Sequence, residues 1–198
     1  MIDAIVLAAG RSRRMGTQKL LLPFAGQTVI GHVVDQALAG QVRQVIAVVA
    51  DEHGPVASAL SNKPVGLVVN PDVEGEMLSS VRVGLRALSA DASAALIVLG
   101  DQPSLRGVLV RRLIDSFETS NKGIVAPVYN GKRGHPLLIA ARYFAELQTQ
   151  YDDVGLRGLL AAHADDIKEV ALTEAGILAD MDYPEDYQRE LRRHRGEC

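Results

Sequence analysis

Cysteine is almost absent: the 198-residue chain has one, Cys198, as its last residue. That excludes a disulfide framework and any metal site built from thiolates, and it fits a reducing compartment. No apolar run approaches the roughly 20 residues that cross a bilayer. The opening MIDAIVLAAG lacks the basic flank and long apolar stretch of a secretory signal. The expectation is a cytoplasmic protein with no membrane partner. Excess positive charge is missing too: the net charge is -3 and the pI about 5.9. A dedicated nucleic-acid binder would carry a basic surplus, so no nucleic-acid partner is expected. Repeats, low-complexity segments and linkers are not visible, and the length suits one domain, residues 1–198, that needs neither disulfides nor a structural metal.

What is present is an alternation. AIVLAA, QVIAVVA, VGLVVN, AALIVLG, GIVAPVY and EVAL are short β-branched or apolar runs, several of them apolar on both faces as in a buried parallel sheet. Between them TVIGHVVDQALA, MLSSVRVGLRAL and LRGVLVRRLIDSF repeat apolar residues at helical spacing. The charged tail YQRELRRHRGEC reads as a helix with a solvated face. Alternating strands and helices predict an α/β fold: a mostly parallel sheet with helices on both faces, in three layers. In such sheets ligands sit beyond the carboxyl ends of the strands. The residues just after each run are therefore the informative ones.

After the first run stands LAAGRSRRMGTQK, Leu7 to Lys19. Gly10 and Gly16 allow a loop whose backbone N–H groups face phosphate oxygens. Arg11, Arg13, Arg14 and Lys19 add charge suited to phosphate. The loop is not a Walker motif, since Gly10 and Gly16 are one residue too far apart and Thr17-Gln18 follow. Nor is it the dinucleotide fingerprint G-x-G-x-x-G. After the AALIVLG run, Asp101 is open to two readings, a helix N-cap (a role Ser104 can also take) or a metal ligand. In ADMDYPEDY, Pro184, Glu185 and Asp186 suit a helix entry, whereas Asp180 and Asp182 precede it. His32, His53, His163 and His194 have no ligand spacing and read as structural or surface residues.

The opening loop closely resembles the signature L-A-[A/G]-G-x-S-x-R-M-G-x-x-K of nucleotidyltransferases with a Rossmann-like, glycosyltransferase-A-type fold. Within them the chain is most similar to the molybdenum-cofactor nucleotidyltransferases, the MobA-like group, and the resemblance runs from Ile5 to Asp186. It implies that Leu7, Ala8, Ala9, Gly10, Arg11, Arg14, Gly16 and Lys19 wrap the triphosphate of a nucleotide, with Arg14 and Lys19 acting in catalysis. LGDQP matches the family's G-D-x-P, which implies that Asp101 binds Mg²⁺ beside the α-phosphate. DMDYPEDY resembles D-[I/V]-D-T-P-E-D-[L/Y], with Tyr183 in place of Thr, and implies Asp182 as the second metal-side carboxylate, with Asp180 as the alternative.

NPDVEGEMLSS is similar to the stretch that closes over the base, which implies nucleotide contacts for Asn70, Gly75 and Ser80, although Glu76 is inserted before Met77. The bland reading makes Ser79 or Ser80 a helix cap. GKRGHP matches a G-x-x-G-H-P element on the acceptor side, carrying His135. DDVGLRGLL resembles G-D-x-G-A-R, keeping Asp153, Gly155 and Arg157 and departing at Asp152 and Leu156. His135, Asp153 and Arg157 are thus expected at the acceptor. The activity implied is Mg²⁺-dependent transfer of CMP from CTP to molybdopterin, with a molybdoenzyme or its chaperone as a further partner. CTP is favoured over GTP because the loop reads Ala8-Ala9-Gly10 where guanylyl-transferring relatives tend to read A-G-G, and because QKLLLP also resembles the cytidylyl branch. The alternatives are a GTP-using enzyme, a sugar- or polyol-phosphate nucleotidyltransferase, and a non-catalytic nucleotide- or cofactor-binding module.

Overall fold

In the computed structural model, which describes residues 1–10, 17–72, 76–173 and 175–196, the apolar runs line up side by side as one sheet. In chain order the elements are β1 (Ile2–Ala8), a hairpin of β2 (Pro23–Phe24) and β3 (Gln27–Thr28), α1 (Val29–Ala39), β4 (Val45–Val49), α2 (Pro55–Leu60) and β5 (Gly66–Val69). Then come α3 (Met77–Ala87), β6 (Ala94–Leu99), α4 (Gly107–Thr119), β7 (Ile124–Tyr129), β8 (Lys132–Arg133) and β9 (Leu137–Ala140). The chain continues through α5 (Phe144–Thr149), α6 (Leu156–Ala162) and β10 (Ile167–Ala171) to α7 (Pro184–Arg195).

The sheet order is β10-β7-β9-β6-β1-β4-β5, with β8 paired to β7. Strands β6, β1, β4 and β5 run parallel, as do β7 and β10. Strand β9 is inserted antiparallel between β6 and β7. The two-sided burial expected of the apolar runs holds for β1 and β4, and fails for β5, an edge strand whose Leu67 and Val69 are exposed. The hairpin, β9, α2, α5 and α6 were not expected from the sequence. They are short, and short elements owe their form to packing more than to periodicity.

Side chains alternate along each strand, so the sheet has two buried faces. Ala4, Val6, Val45, Ala47, Leu96 and Val98 pack under α1, α2 and α4; Ile5, Val48, Ala95, Ile97 and Ile139 pack under α3, α5 and α6. This is the expected three-layer arrangement. A third, smaller cluster of Phe24, Val29 and Met181 joins the hairpin to α7 through Tyr187 and Leu191. No helix among the described residues is long and apolar enough to cross a membrane.

From β1 the chain steps outward to β4 and β5, then returns to lay β6 on the other side of β1. Connections leave β1 and β6 in opposite directions, which opens a crevice at their carboxyl ends. The opposite edge of the sheet is closed by charge. Asp3, fully buried in β1, accepts from Arg43 Nε and Nη2 at 2.7 and 2.6 Å and from Gln44 Nε2 at 2.9 Å. Arg43 also reaches Asp91 at 2.6 Å. Asp3→Ala strips these donors of their shared acceptor and should lower unfolding free energy by about 1.5–3 kcal/mol. Urea denaturation measures the loss, and ligand affinity at the far edge of the sheet should not change.

Candidate active site

Gly100 brings the ends of β1 and β6 together. Its N–H donates to the Leu7 carbonyl at 3.0 Å. A Cβ at this position would lie 2.7 Å from that oxygen and 2.9 Å from Ile30 Cδ1, closer than packed atoms tolerate. Only glycine lets the chain pass here, and the next residue, Asp101, is thereby set beside the start of the Leu7–Gly10 loop. Gly10 is different: among the described residues a Cβ there would meet nothing within 4 Å, so packing does not require the glycine.

Lys19 opens a 3-10 turn anchored by the buried Leu20. Its Nζ lies 2.5 Å from Asp101 Oδ2 and 3.2 Å from Asp182 Oδ1. Asp182 arrives from the far end of the chain. Residues 179–182 alternate, with Ala179 and Met181 buried and Asp180 and Asp182 turned the other way. Met181 is the anchor, and the two acids follow from period two. Asp186, in the first turn of α7, accepts from the backbone N–H groups of Asp182 and Tyr183 at 3.1 and 2.9 Å, which fixes the approach. Asp180 Oδ1 accepts from Gln102 Nε2 at 2.9 Å. Residues 19, 101 and 182 thus converge, and residues 102 and 180 run beside them. Burial pulls the Lys19 ammonium toward neutrality, but the Asp101 and Asp182 carboxylates outweigh it and hold its pKa above the ordinary lysine value. It is fully charged at neutral pH.

The capping alternatives fail. Helix α4 begins at Gly107 with Arg106 as N-cap, so neither Asp101 nor Ser104 caps it, and Ser104 instead donates to the buried Glu190 of α7. Helix α3 has Glu76 as N-cap, so neither Ser79 nor Ser80 caps it. Their hydroxyls accept from Asn70 Nδ2 at 2.8 and 3.0 Å, while Asn70 Oδ1 accepts from Asp72 N at 3.0 Å. The Asn70 amide is satisfied within the chain, and it buckles the end of β5 to the first turn of α3. Asn70 and Ser80, expected at the nucleotide, are thus hydrogen-bonded to one another at the end of β5. Arg11, Arg14, Gly16 and Gly75 lie outside the described residues.

A second cleft of about 710 Å³ opens next to this cluster, lined by Gln102, Arg133, His135, Asp153, Arg157 and Asp180 among others. It gathers the three residues expected on the acceptor side. The sequence departures nearby have structural reasons. Asp152 pairs with Arg82 Nη1 at 2.5 Å, and Arg82 also donates to the Leu147 and Gln150 carbonyls, tying this loop to α3. Leu156 is buried in the core. Gly155 takes φ +60 and ψ -152, a conformation reserved for glycine, and turns the chain into α6 so that Arg157 faces the cleft. Gln102 and Arg133 were not singled out in the sequence: both occupy variable positions of the motifs that contain them, G-D-x-P and G-x-x-G-H-P.

Among the described residues no three His, Cys, Asp or Glu side chains converge as a metal cage. The site offers two carboxylates that already share one cation. Hard oxygen donors of that kind suit a small divalent ion that takes its other ligands from water and phosphate.

A family model described as a MobA-like NTP transferase domain matches residues 4–167. The chain belongs to that family. Among curated relatives, the molybdenum cofactor cytidylyltransferase of Escherichia coli K12 is 27% identical, over 94% of this chain and 93% of its own length. Nicotine blue oxidoreductase of Paenarthrobacter nicotinovorans is 30% identical over 71% of each chain. Among solved structures, Rv0371c of Mycobacterium tuberculosis H37Rv superposes with a TM-score of 0.86 at 32% identity, covering 97% of this chain and 98% of its own. A structure of that protein is described as a complex with manganese, with a TM-score of 0.81 at 30% identity, covering 96% of this chain and 98% of its own. The fold is therefore that of the MobA-like nucleotidyltransferases.

In this MobA-like domain His135 stands where β9 leaves the carboxyl edge. Burial holds its imidazole below the ordinary histidine pKa, against the opposing pull of the Ile97 carbonyl, Asp180 and Asp101. Its Nδ1 is buried without a partner among the described residues. His32 is lowered as well, by burial and then by the positive field of His194. A base with a depressed folded pKa protonates first in the unfolded chain, so stability falls as pH drops below about 6.5 toward the folded value. The melting temperature should therefore decline below about pH 6.5, and His135→Gln should flatten part of that decline. A pH profile unchanged by the substitution would contradict the assignment.

Proposed function

We propose that the chain is a Mg²⁺-dependent nucleotidyltransferase that moves CMP from CTP to the terminal phosphate of molybdopterin and releases pyrophosphate. The observation that carries this reading is the convergence of Lys19, Asp101 and Asp182 at the mouth of the β1–β6 crevice. Acidic pairs and a buried lysine at a topological switch point suit a polyphosphate with a divalent cation. The family membership and the curated cytidylyltransferase relative support the reaction class.

Asp101 and Asp182 would hold the cation, which when bound neutralises charge on the phosphates as it develops. The Leu7–Gly10 backbone lines the triphosphate, and among the described residues nothing lies within 4 Å of where a Cβ on Gly10 would stand. Arg11, Arg14, Gly16 and Gly75 belong to the same reading through the family motif alone. Lys19 supplies an ammonium to the departing pyrophosphate. Arg133 and Arg157, across the Gln102–Asp180 pair, orient the acceptor, with Asp153 and His135 on the same wall. An acceptor phosphate oxygen attacks the α-phosphorus in line; the new P–O bond forms as the bond to pyrophosphate breaks, and the electron pair leaves with the pyrophosphate. A phosphate monoester is already largely ionised near neutral pH, so no general base is required. Catalysis is then positioning and charge neutralisation.

An oxidoreductase reading takes its support from the Paenarthrobacter relative. Against it stands the first loop, which lacks the G-x-G-x-x-G phosphate turn of dinucleotide enzymes. Cytidine is favoured by Ala9, whose methyl narrows the space open to a base. We expect CTP to be preferred over GTP by at least about tenfold in kcat/KM, about 1.4 kcal/mol of differential binding. A competition assay with both nucleotides and molybdopterin, reading pyrophosphate, tests this. Asp101→Asn in the same assay should lose at least about a hundredfold in turnover. Preference for GTP would change the nucleotide, and full activity of Asp101→Asn would end the reading of the site.

A further inference from the structure

We infer that Lys19 is a built-in occupant of the divalent-cation site, so that the site becomes available to metal only when a nucleotide draws the lysine away. The inference rests on Asp101 and Asp182 being the metal carboxylates. Both reach the same Nζ, at 2.5 and 3.2 Å, from opposite ends of the chain. Two carboxylates brought this close repel one another unless a cation stands between them. The ammonium fills that need from within the fold.

The three groups differ in how firmly they are held. Asp101 is fixed by the close passage of Gly100 past Leu7, and its side chain is 19% exposed. Asp182 is positioned by Met181 and Asp186, and its side chain is 41% exposed. Lys19 is the most enclosed of the three, its side chain 13% exposed, but it carries its charge on a rotatable four-carbon stem that reaches further than the short side chains of the acids. A divalent ion and an ammonium cannot both occupy the gap between the two acids, because at 3–4 Å like charges repel strongly in a half-buried site. A triphosphate offers the lysine a richer set of anionic oxygens, on the side from which the Leu7–Gly10 loop approaches. When Lys19 turns to the phosphates, Asp101 and Asp182 give up the ammonium they share and take the metal in its place. One lysine thus couples nucleotide entry to metal entry and keeps the empty site from holding metal idly.

The test is Mn²⁺ binding to the full chain without nucleotide, followed by the loss of the free-ion electron paramagnetic resonance signal. Wild type should bind Mn²⁺ weakly. Lys19→Met, which keeps the stem and removes the charge, should bind it at least about tenfold more tightly. Adding Asp101→Asn to Lys19→Met should abolish that gain. If Lys19→Met fails to fold by circular dichroism, Lys19→Gln takes its place. Affinity in the folded lysine variant no greater than wild type would overturn the coupling while leaving the carboxylate site intact. A gain that survives Asp101→Asn would place the metal elsewhere, and with it the proposed reaction centre would fail.

Discussion

Three charges hold this active-site reading together: the ammonium of Lys19 and the carboxylates of Asp101 and Asp182. They come from the segment between the first two strands, the end of β6 and the approach to the last helix, so distant parts of the chain must come together before they meet. Each offsets a cost of the others: burial lowers the pKa of the lysine and the two acids raise it, while the ammonium stands between two carboxylates that repel one another. The fold sets the acids by backbone means, a glycine that no other residue can replace on one side and a buried methionine on the other. The lysine is left as the adjustable member.

The same logic separates the two halves of the cleft. On one side, Leu7 to Gly10 and the charged trio offer backbone and cations, the chemistry of polyphosphate. On the other, Arg133, His135, Asp153 and Arg157 line a cleft of about 710 Å³. Gln102 and Asp180, hydrogen-bonded to one another, line the same cleft and lie within two residues of Asp101 and Asp182 in sequence. The far edge of the sheet carries the contrasting kind of charge, Asp3 paired with Arg43.

Much of the fold was legible in the sequence because buried parallel strands read as unbroken apolar runs and their helices as 3.6-residue stripes. Helix α1 begins one residue later than its motif because Thr28 is its cap, accepting from Gly31 N at 3.1 Å. Strand β9, only four residues long, is too short for its periodicity to mark it as a strand. Lys19, Asp101 and Asp182 were picked out by the motifs that contain them, and the structure brings these three together from distant parts of the chain. The bond that joins Asn70 to Ser79 and Ser80 was not legible, because a contact between a strand end and the next helix leaves no periodic mark in one dimension. Asp152 and Leu156 depart from the motif for reasons visible only in three dimensions: one pins a loop to Arg82 and the other fills the core.

The most direct measurement is the anomalous scattering of manganese in crystals grown with Mn²⁺ and a non-hydrolysable CTP analogue. The account predicts one strong peak within coordination distance, about 2.0–2.3 Å, of carboxylate oxygens of both Asp101 and Asp182, with the Lys19 ammonium moved onto the phosphates. A peak that touches neither carboxylate, or a lysine still seated between the two acids with metal and nucleotide bound, would contradict it.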